Sequence, residues 1–234
     1  LTLYGRWPRA VLPFRKDSPG IWKEEDLEKP IPKTYALPGG GSKSDPLYFD
    51  RVRRSRAREV VLVEGVIDAA LAQQFGDTRV CAYVAGTLAG KQIEVIERYK
   101  PESVTLCPDP DQGGDNGVES ACRRLNAAGI RSYVAPRLPD GKDPDEFILT
   151  AEVGIDGWRA HIENAQPAAL FRAEQILGGV GADAPAKRRE TVLRKLLDLA
   201  AELAGDGSEL DRAAIVDLAA QRLGMQKPQI RAEL

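Results

Sequence analysis

No run of apolar residues in this chain approaches the roughly 18 to 20 needed to cross a bilayer, which excludes a transmembrane helix read from sequence. The opening "LTLYGRWPRAV" has no apolar h-region followed by a cleavage site, so the expected location is the cytoplasm, away from membranes. Cysteine is scarce: Cys81, Cys107 and Cys122 are odd in number, widely spaced and never in a CxxC pair. That excludes a zinc ribbon and argues for buried thiols over a disulfide framework. Histidine occurs once, at His161, within a helical stretch outside the strand-rich region, where an ordinary helical role is expected. A strong excess of either charge is also missing, because the net charge of −2 does not describe a generic polyanion binder. Tandem repeats, low-complexity tracts and sustained heptads are absent.

What is present is a normal globular balance, 43% hydrophobic and 29% charged over 234 residues, enough for one large domain or two to three small ones with a real core. Charge is unevenly placed. "RVRRSRAR" puts Arg51, Arg53, Arg54, Arg56 and Arg58 within eight residues, and "YGRWPRAVLPFRK" adds Arg6, Arg9, Arg15 and Lys16. Taken alone, the first run is as compatible with a solvated helix or linker as with nucleic-acid contact.

Residues 1–57 are rich in proline and glycine and read as an irregular α/β segment with short strands. From Glu59 the texture changes. "EVVLVEG" is a β-branched run ending in glycine, the pattern of a buried strand, and "IDAALAQQFG" follows with helical spacing and a glycine stop. The unit repeats through "RVCAYVAG", "AGKQIEVIERYK", "SVTLCPD", "GGDNGVESACRRLNAAG" and "IRSYVAP". This alternation predicts an α/β domain over 58–149 with a parallel sheet covered by helices on both faces. Residues 150–234 read as amphipathic helices, "GWRAHIENAQPAALFRAEQILGG" among them, forming a helical subdomain.

Ligands of an open parallel sheet bind outside the carboxyl ends of its strands, and the acidic residues fall there. Glu64 ends the first strand and Asp68 follows in the first helical turn; Asp109 and Asp111 end the third; Asp143 and Asp145 follow the fourth in "DGKDPDEF". Each Asp pair alone is explained by turn formation and helix capping. All six at one edge need a counter-charge, and oxygen donors without a neighbouring histidine select a hard cation, Mg²⁺ first, Mn²⁺ or Ca²⁺ next. "GTLAGK" is not a phosphate-binding loop, being one residue short with Gln92 where Ser or Thr is needed.

The order "VEGVID", "DPDQGG", "KDPDEF" resembles the TOPRIM domain, the metal-binding fold of bacterial-type primases, topoisomerases and several nucleases. "GRWPRAVLPFRKDSPG", "PKTY", "LYFDRVR" and "AGT" extend the resemblance to the catalytic core of bacterial replicative primases of the DnaG type, and the tail ending "IVDLAAQRLGM" is similar to the core's helical subdomain. The resemblance implies RNA primer synthesis on single-stranded DNA from ribonucleotide triphosphates, with Mg²⁺ or Mn²⁺. It assigns catalysis to Glu64, Asp109 and Asp111, and metal binding to those three with Asp68, Asp143 and Asp145. It makes Lys33 and Arg15 nucleic-acid contacts and a replicative helicase a partner considered for the helical tail. Two departures stand out: "GIWKEEDLEK" where the family has a Gly-Gly-Arg strand, and Gln112 where it has a basic residue after DxD. The rival readings are a TOPRIM nuclease using the same metals and a non-catalytic replisome adaptor; a topoisomerase would need a tyrosine from a further domain.

Overall fold

The structure, a computed structural model, describes residues 4–6, 34–36, 49–83, 87–109, 112–150, 153–203 and 207–233, without the side chains of 4–6, 34–36 and 112–116. Arg15, Lys33 and Asp111 lie outside the described residues. Near the start, β1 (Tyr4–Arg6) and β2 (Thr34–Ala36) pair antiparallel.

The centre is a five-stranded sheet of β3 (Glu59–Val63), β4 (Val80–Ala82), β5 (Ser103–Leu106), β6 (Ser132–Val134) and β7 (Gln166–Pro167), in the order β4-β3-β5-β6-β7. The first four are parallel, as the alternating pattern predicts. Strand period divides their side chains between two cores. Val60 and Leu62 of β3, Cys81 of β4 and Val104 and Leu106 of β5 enter one, with α1 (Phe49–Ser55), α3 (Gly90–Tyr99) and α4 (Gln112–Ala127). Val61 and Val63, with Val80 and Ala82, enter the other, with α2 (Val66–Gln74), α5 (Pro144–Leu149) and α6 (Gly154–Glu163). β-Branched residues dominate β3 because both of its faces are buried.

The structure corrects the sequence reading at β7, which pairs antiparallel with β6 along the edge. The segment expected to be helical from Gly157 to Gly179 is interrupted: α6 ends at Glu163 and α7 (Ala168–Leu177) begins only after the strand. Pro167 is the cause, since it has no N–H to donate and forces Gln166 away from helical backbone, which an edge strand tolerates.

A third core is formed by α7, α8 (Ala186–Glu202), α9 (Ser208–Leu223) and α10 (Lys227–Ala232) around Leu177, Leu196, Leu199 and Leu223. It is tied to the sheet side by Arg131, whose guanidinium donates to both oxygens of Asp211 at 2.5 and 3.0 Å, and by Asn126 Nδ2, which donates to Glu202 O at 2.9 Å. No described helix is long and apolar enough to cross a membrane.

The entering end of the sheet is held by a buried polar knot. Asp77 accepts from Arg79 Nε and Nη2, each at 2.9 Å, and from the Trp158 indole N–H at 3.1 Å. Arg79 Nη1 continues to Glu59 Oε2 at 2.7 Å, and Thr105 Oγ1 donates to Glu59 Oε1 at 2.7 Å. Burial pushes the Asp77 carboxyl upward, but the Arg79 hydrogen bonds and charge outweigh it and hold the group below its ordinary 3.8.

Candidate active site

Parallel register fixes the base of the site. Leu62 stands opposite Leu106, and Cys107 N donates to Leu62 O at 2.9 Å, so the chain leaves β3 at Glu64 and β5 at Asp109 along the same edge of the sheet. Glu64 is half-buried. Asp109 is half-buried as well, with Oδ1 withdrawn from solvent.

Asp68 is buried in the first turn of α2. Its carboxylate folds back over Gly65, the residue that caps the helix, and a Cβ at position 65 would overlap Asp68 Oδ2. Glycine is needed here for that close approach, not for a positive φ, because Gly65 has φ −82°. Asp68 Oδ1 accepts the backbone N–H of Asp145 at 3.1 Å, joining the β3–α2 turn to the start of α5 across 77 positions of sequence. Asp143 is the N-cap of α5 and Asp145 lies in its first turn. Asp143 makes no side-chain cap hydrogen bond to the helix, so capping does not account for its carboxylate.

The electrostatics are those of crowded anions. Burial pushes the Asp68 carboxyl up from 3.8 to about 6; the Asp145 N–H opposes the rise, and the charges of Asp145 and Asp143 add to it. Burial likewise drives the Cys107 thiol far above its ordinary range, with further contributions from the charges of Asp109 and Asp68. Cys107 is buried just before Asp109, and both carboxylates disfavour its thiolate.

The structure therefore draws together Asp68, Asp143 and Asp145, and puts Glu64 and Asp109 at the same edge of the sheet. Among the described residues no three acidic, histidine or cysteine side chains are already set to chelate one ion. The donor chemistry nevertheless fits a hard divalent cation: every acidic group at the edge offers oxygen, and buried Asp68 faces the charges of Asp145 and Asp143, which a cation would offset.

Two positions were not singled out by sequence reasoning as parts of this edge. Gly65 was read only as a strand stop, although an acidic residue on each side at 64 and 68 is a usable signal for close backbone approach. Gln92, fully buried, accepts from Ala89 N at 2.8 Å and donates to Tyr83 O at 2.9 Å, tying the start of α3 to the end of β4. His161 holds Pro136 O at 2.9 Å from Nε2 and packs its ring 5.5 Å from that of Phe147, a structural role.

Carboxylates at the ends of parallel strands are compatible with a Toprim-like domain, and residues 61–148 match the family described as Toprim-like. More particularly, the chain resembles bacterial DNA primases of the DnaG type. It is 35% identical over 98 residues to the DNA primase of Geobacillus stearothermophilus, covering 42% of this chain and 16% of that protein. With the DNA primase of Haemophilus influenzae it shares 28% identity over 208 residues, 87% of this chain and 33% of the other. Its fold matches a DNA primase domain from Pseudomonas aeruginosa with a TM-score of 0.68 at 22% identity, covering 88% of this chain and 64% of that one. It matches a DnaG primase catalytic domain bound to single-stranded DNA with a TM-score of 0.67 at 22% identity, over 85% and 63% of the two chains. The chain spans no more than a third of the length of these curated relatives.

Proposed function

We propose that this chain is the catalytic core of a DNA primase, a metal-dependent nucleotidyltransferase that makes short RNA primers on single-stranded DNA. The observation that carries the reading is the bond from Asp145 N to Asp68 Oδ1, which gathers carboxylates from two separate strand ends at the edge where β5 leads to Asp109. Glu64, Asp109 and Asp111 are the residues assigned to catalysis, and together with Asp68, Asp143 and Asp145 they hold Mg²⁺ or Mn²⁺. A cation held there would offset the charge of the triphosphate and make the attacking 3′-hydroxyl easier to deprotonate.

The chain's own groups position the reaction. Glu64 and Asp109 extend from paired strands whose hydrogen bonds and two-sided burial limit their movement, so orientation is set before substrate arrives. The Asp145 N–H fixes Asp68 with one oxygen, and Gly65 leaves room for the other. Crowded carboxylates also repel a triphosphate unless cations accompany it, which makes entry of nucleotide conditional on metal. Lys33 and Arg15 are assigned to the template, ribonucleotide triphosphates are the second substrate, and the helical subdomain is the surface for a helicase partner.

The test is extension of an RNA primer annealed to single-stranded DNA with labelled ribonucleotide triphosphates and Mg²⁺ or Mn²⁺. Metal-dependent products that disappear in Asp109→Asn are expected. Undiminished synthesis by that variant, or shortening of the nucleic acid without triphosphates, would overturn the reading.

A further inference from the structure

The arginine run is not used by the site at the strand ends. Arg51, Arg53, Arg54, Arg56 and Arg58 are all exposed, on α1 and the turn that leads into β3. Few contacts occupy them. Arg51 Nη1 donates to Gln73 O at 3.0 Å, Arg53 lies 5.6 Å from the Phe49 ring centroid, and Arg58 pairs with Glu102 on the surface. The guanidinium groups of Arg54 and Arg56 form no ion pair or side-chain hydrogen bond with a described residue.

The fold places one more cation beside this run. Among the described residues three non-glycine positions have positive φ, and two are long cations at this end of the molecule: Arg56 at 54° and Lys100 at 55°. The two turns are joined, since the Tyr99 hydroxyl donates to Ala57 O at 2.6 Å and Glu102 N donates to Arg58 O at 2.7 Å. Left-handed backbone is the conformation glycine adopts without penalty, and like charges in sequence repel. Both cations stand at helix C-termini, Arg56 directly after α1 and Lys100 as the cap of α3, where a positive charge gains about 0.3–1 kcal/mol from the helix dipole and offsets part of the left-handed penalty.

Placement separates this surface from the carboxylates. Arg58 precedes β3 and Glu64 follows it, so the two lie at opposite ends of a strand about 17 Å long at roughly 3.3 Å per residue. The ligand class follows from what surrounds the arginines. Phe49 and Val52 are buried, so residues 51–58 themselves expose no large apolar side chain, and two residues past the Gln73 carbonyl that Arg51 holds the exposed Phe75 offers a ring on which a base can stack. Guanidinium groups suit phosphate, which they bind in bidentate fashion.

We propose that residues 51–58 with Lys100 form a second nucleic-acid surface, which grips the phosphate backbone at the end of the sheet opposite the carboxylates. The choice of nucleic acid among polyanions rests on the proposed primase reading. The surface is sequence-independent and holds the strand away from the reaction centre, as phosphate contacts position without reading bases.

Binding of labelled single-stranded DNA to the full chain is measured by anisotropy in EDTA across a salt series. In Arg53→Gln/Arg54→Gln/Arg56→Gly, Kd is expected to rise about tenfold or more, and the log–log salt slope to fall by about 2, since each single-strand phosphate contact contributes roughly 0.7. The melting temperature should hold, because the glycine removes the left-handed penalty. Should the triple variant not fold, Arg54→Glu alone must weaken binding at least as much as Arg54→Gln does. Unchanged Kd and slope in a folded variant would overturn the proposal. Arginine-dependent binding without primer synthesis overturns the primase reading and leaves this surface standing; primer synthesis with Kd equal across all variants does the reverse.

Discussion

Replacing Asp68 with Asn tests the electrostatic account of the site without any assumption about activity. In the folded protein the Asp68 carboxyl titrates near 6 against 3.8 for an ordinary aspartate, because it is buried and faces Asp145 and Asp143. The folded state therefore binds more protons than the unfolded chain between those two values. Stability falls as pH rises through that window and does not recover above it. About two units at 1.36 kcal/mol each give a cost of about 3 kcal/mol at pH 7, as an upper figure. Asn keeps an acceptor oxygen for the Asp145 N–H and carries no charge, so most of that cost disappears. In EDTA at pH 7 the variant should be more stable by about 1–3 kcal/mol, and at pH 4 the two proteins should converge. For a chain of this size that corresponds to a rise in melting temperature of about 3–10 °C. Urea unfolding from pH 4 to 8 provides the measurement. With saturating Mg²⁺ the order should reverse, since the parent gains about 2.7 kcal/mol at a hundred times Kd and the variant loses a charged ligand. A variant equally or less stable than the parent in EDTA at pH 7 would refute the claim that Asp68 is an uncompensated buried charge.

Asp77→Ala leaves Arg79 and the Trp158 indole without their buried acceptor and should cost about 3–5 kcal/mol at neutral pH by chemical unfolding. Because the Asp77 carboxyl is held below its ordinary range, its stabilisation is present above pH 3.8 and lost as pH falls further, so the alanine variant should show a shallower acid limb. Gly65→Ala places a methyl group on Asp68 Oδ2, and the expected result is loss of divalent-cation binding with the fold retained, read by isothermal titration. Adding Asp68→Ala to it should relieve the overlap, so the two substitutions destabilise by less together than the sum of their separate effects; simple additivity would count against the contact.

The alternation of strand and helix was legible because it depends on short-range pattern. "EVVLV" is β-branched and apolar throughout, and β3 occupies those five residues. The carboxylates were legible as strand-end residues for the same reason, and their convergence could be anticipated from parallel topology. β7 was not, since two residues between helices carry no periodicity and only Pro167 hints at the break. The nature of the arginine run was equally closed to sequence: a helix with Val52 buried beneath it and its guanidinium groups outward is distinguished from a linker only by packing.

What the sequence by itself determined is the identity and order of the elements from β3 to β6 and which acidic residues follow the ends of those strands, because these follow from local backbone preference and side-chain period. Tertiary structure alone decided the strand order β4-β3-β5-β6-β7, the reach of the Asp145 N–H to Asp68, and the burial that lifts the Asp68 carboxyl to about 6. Those outcomes depend on which distant surfaces exclude water from one another, and no short window of sequence contains that information.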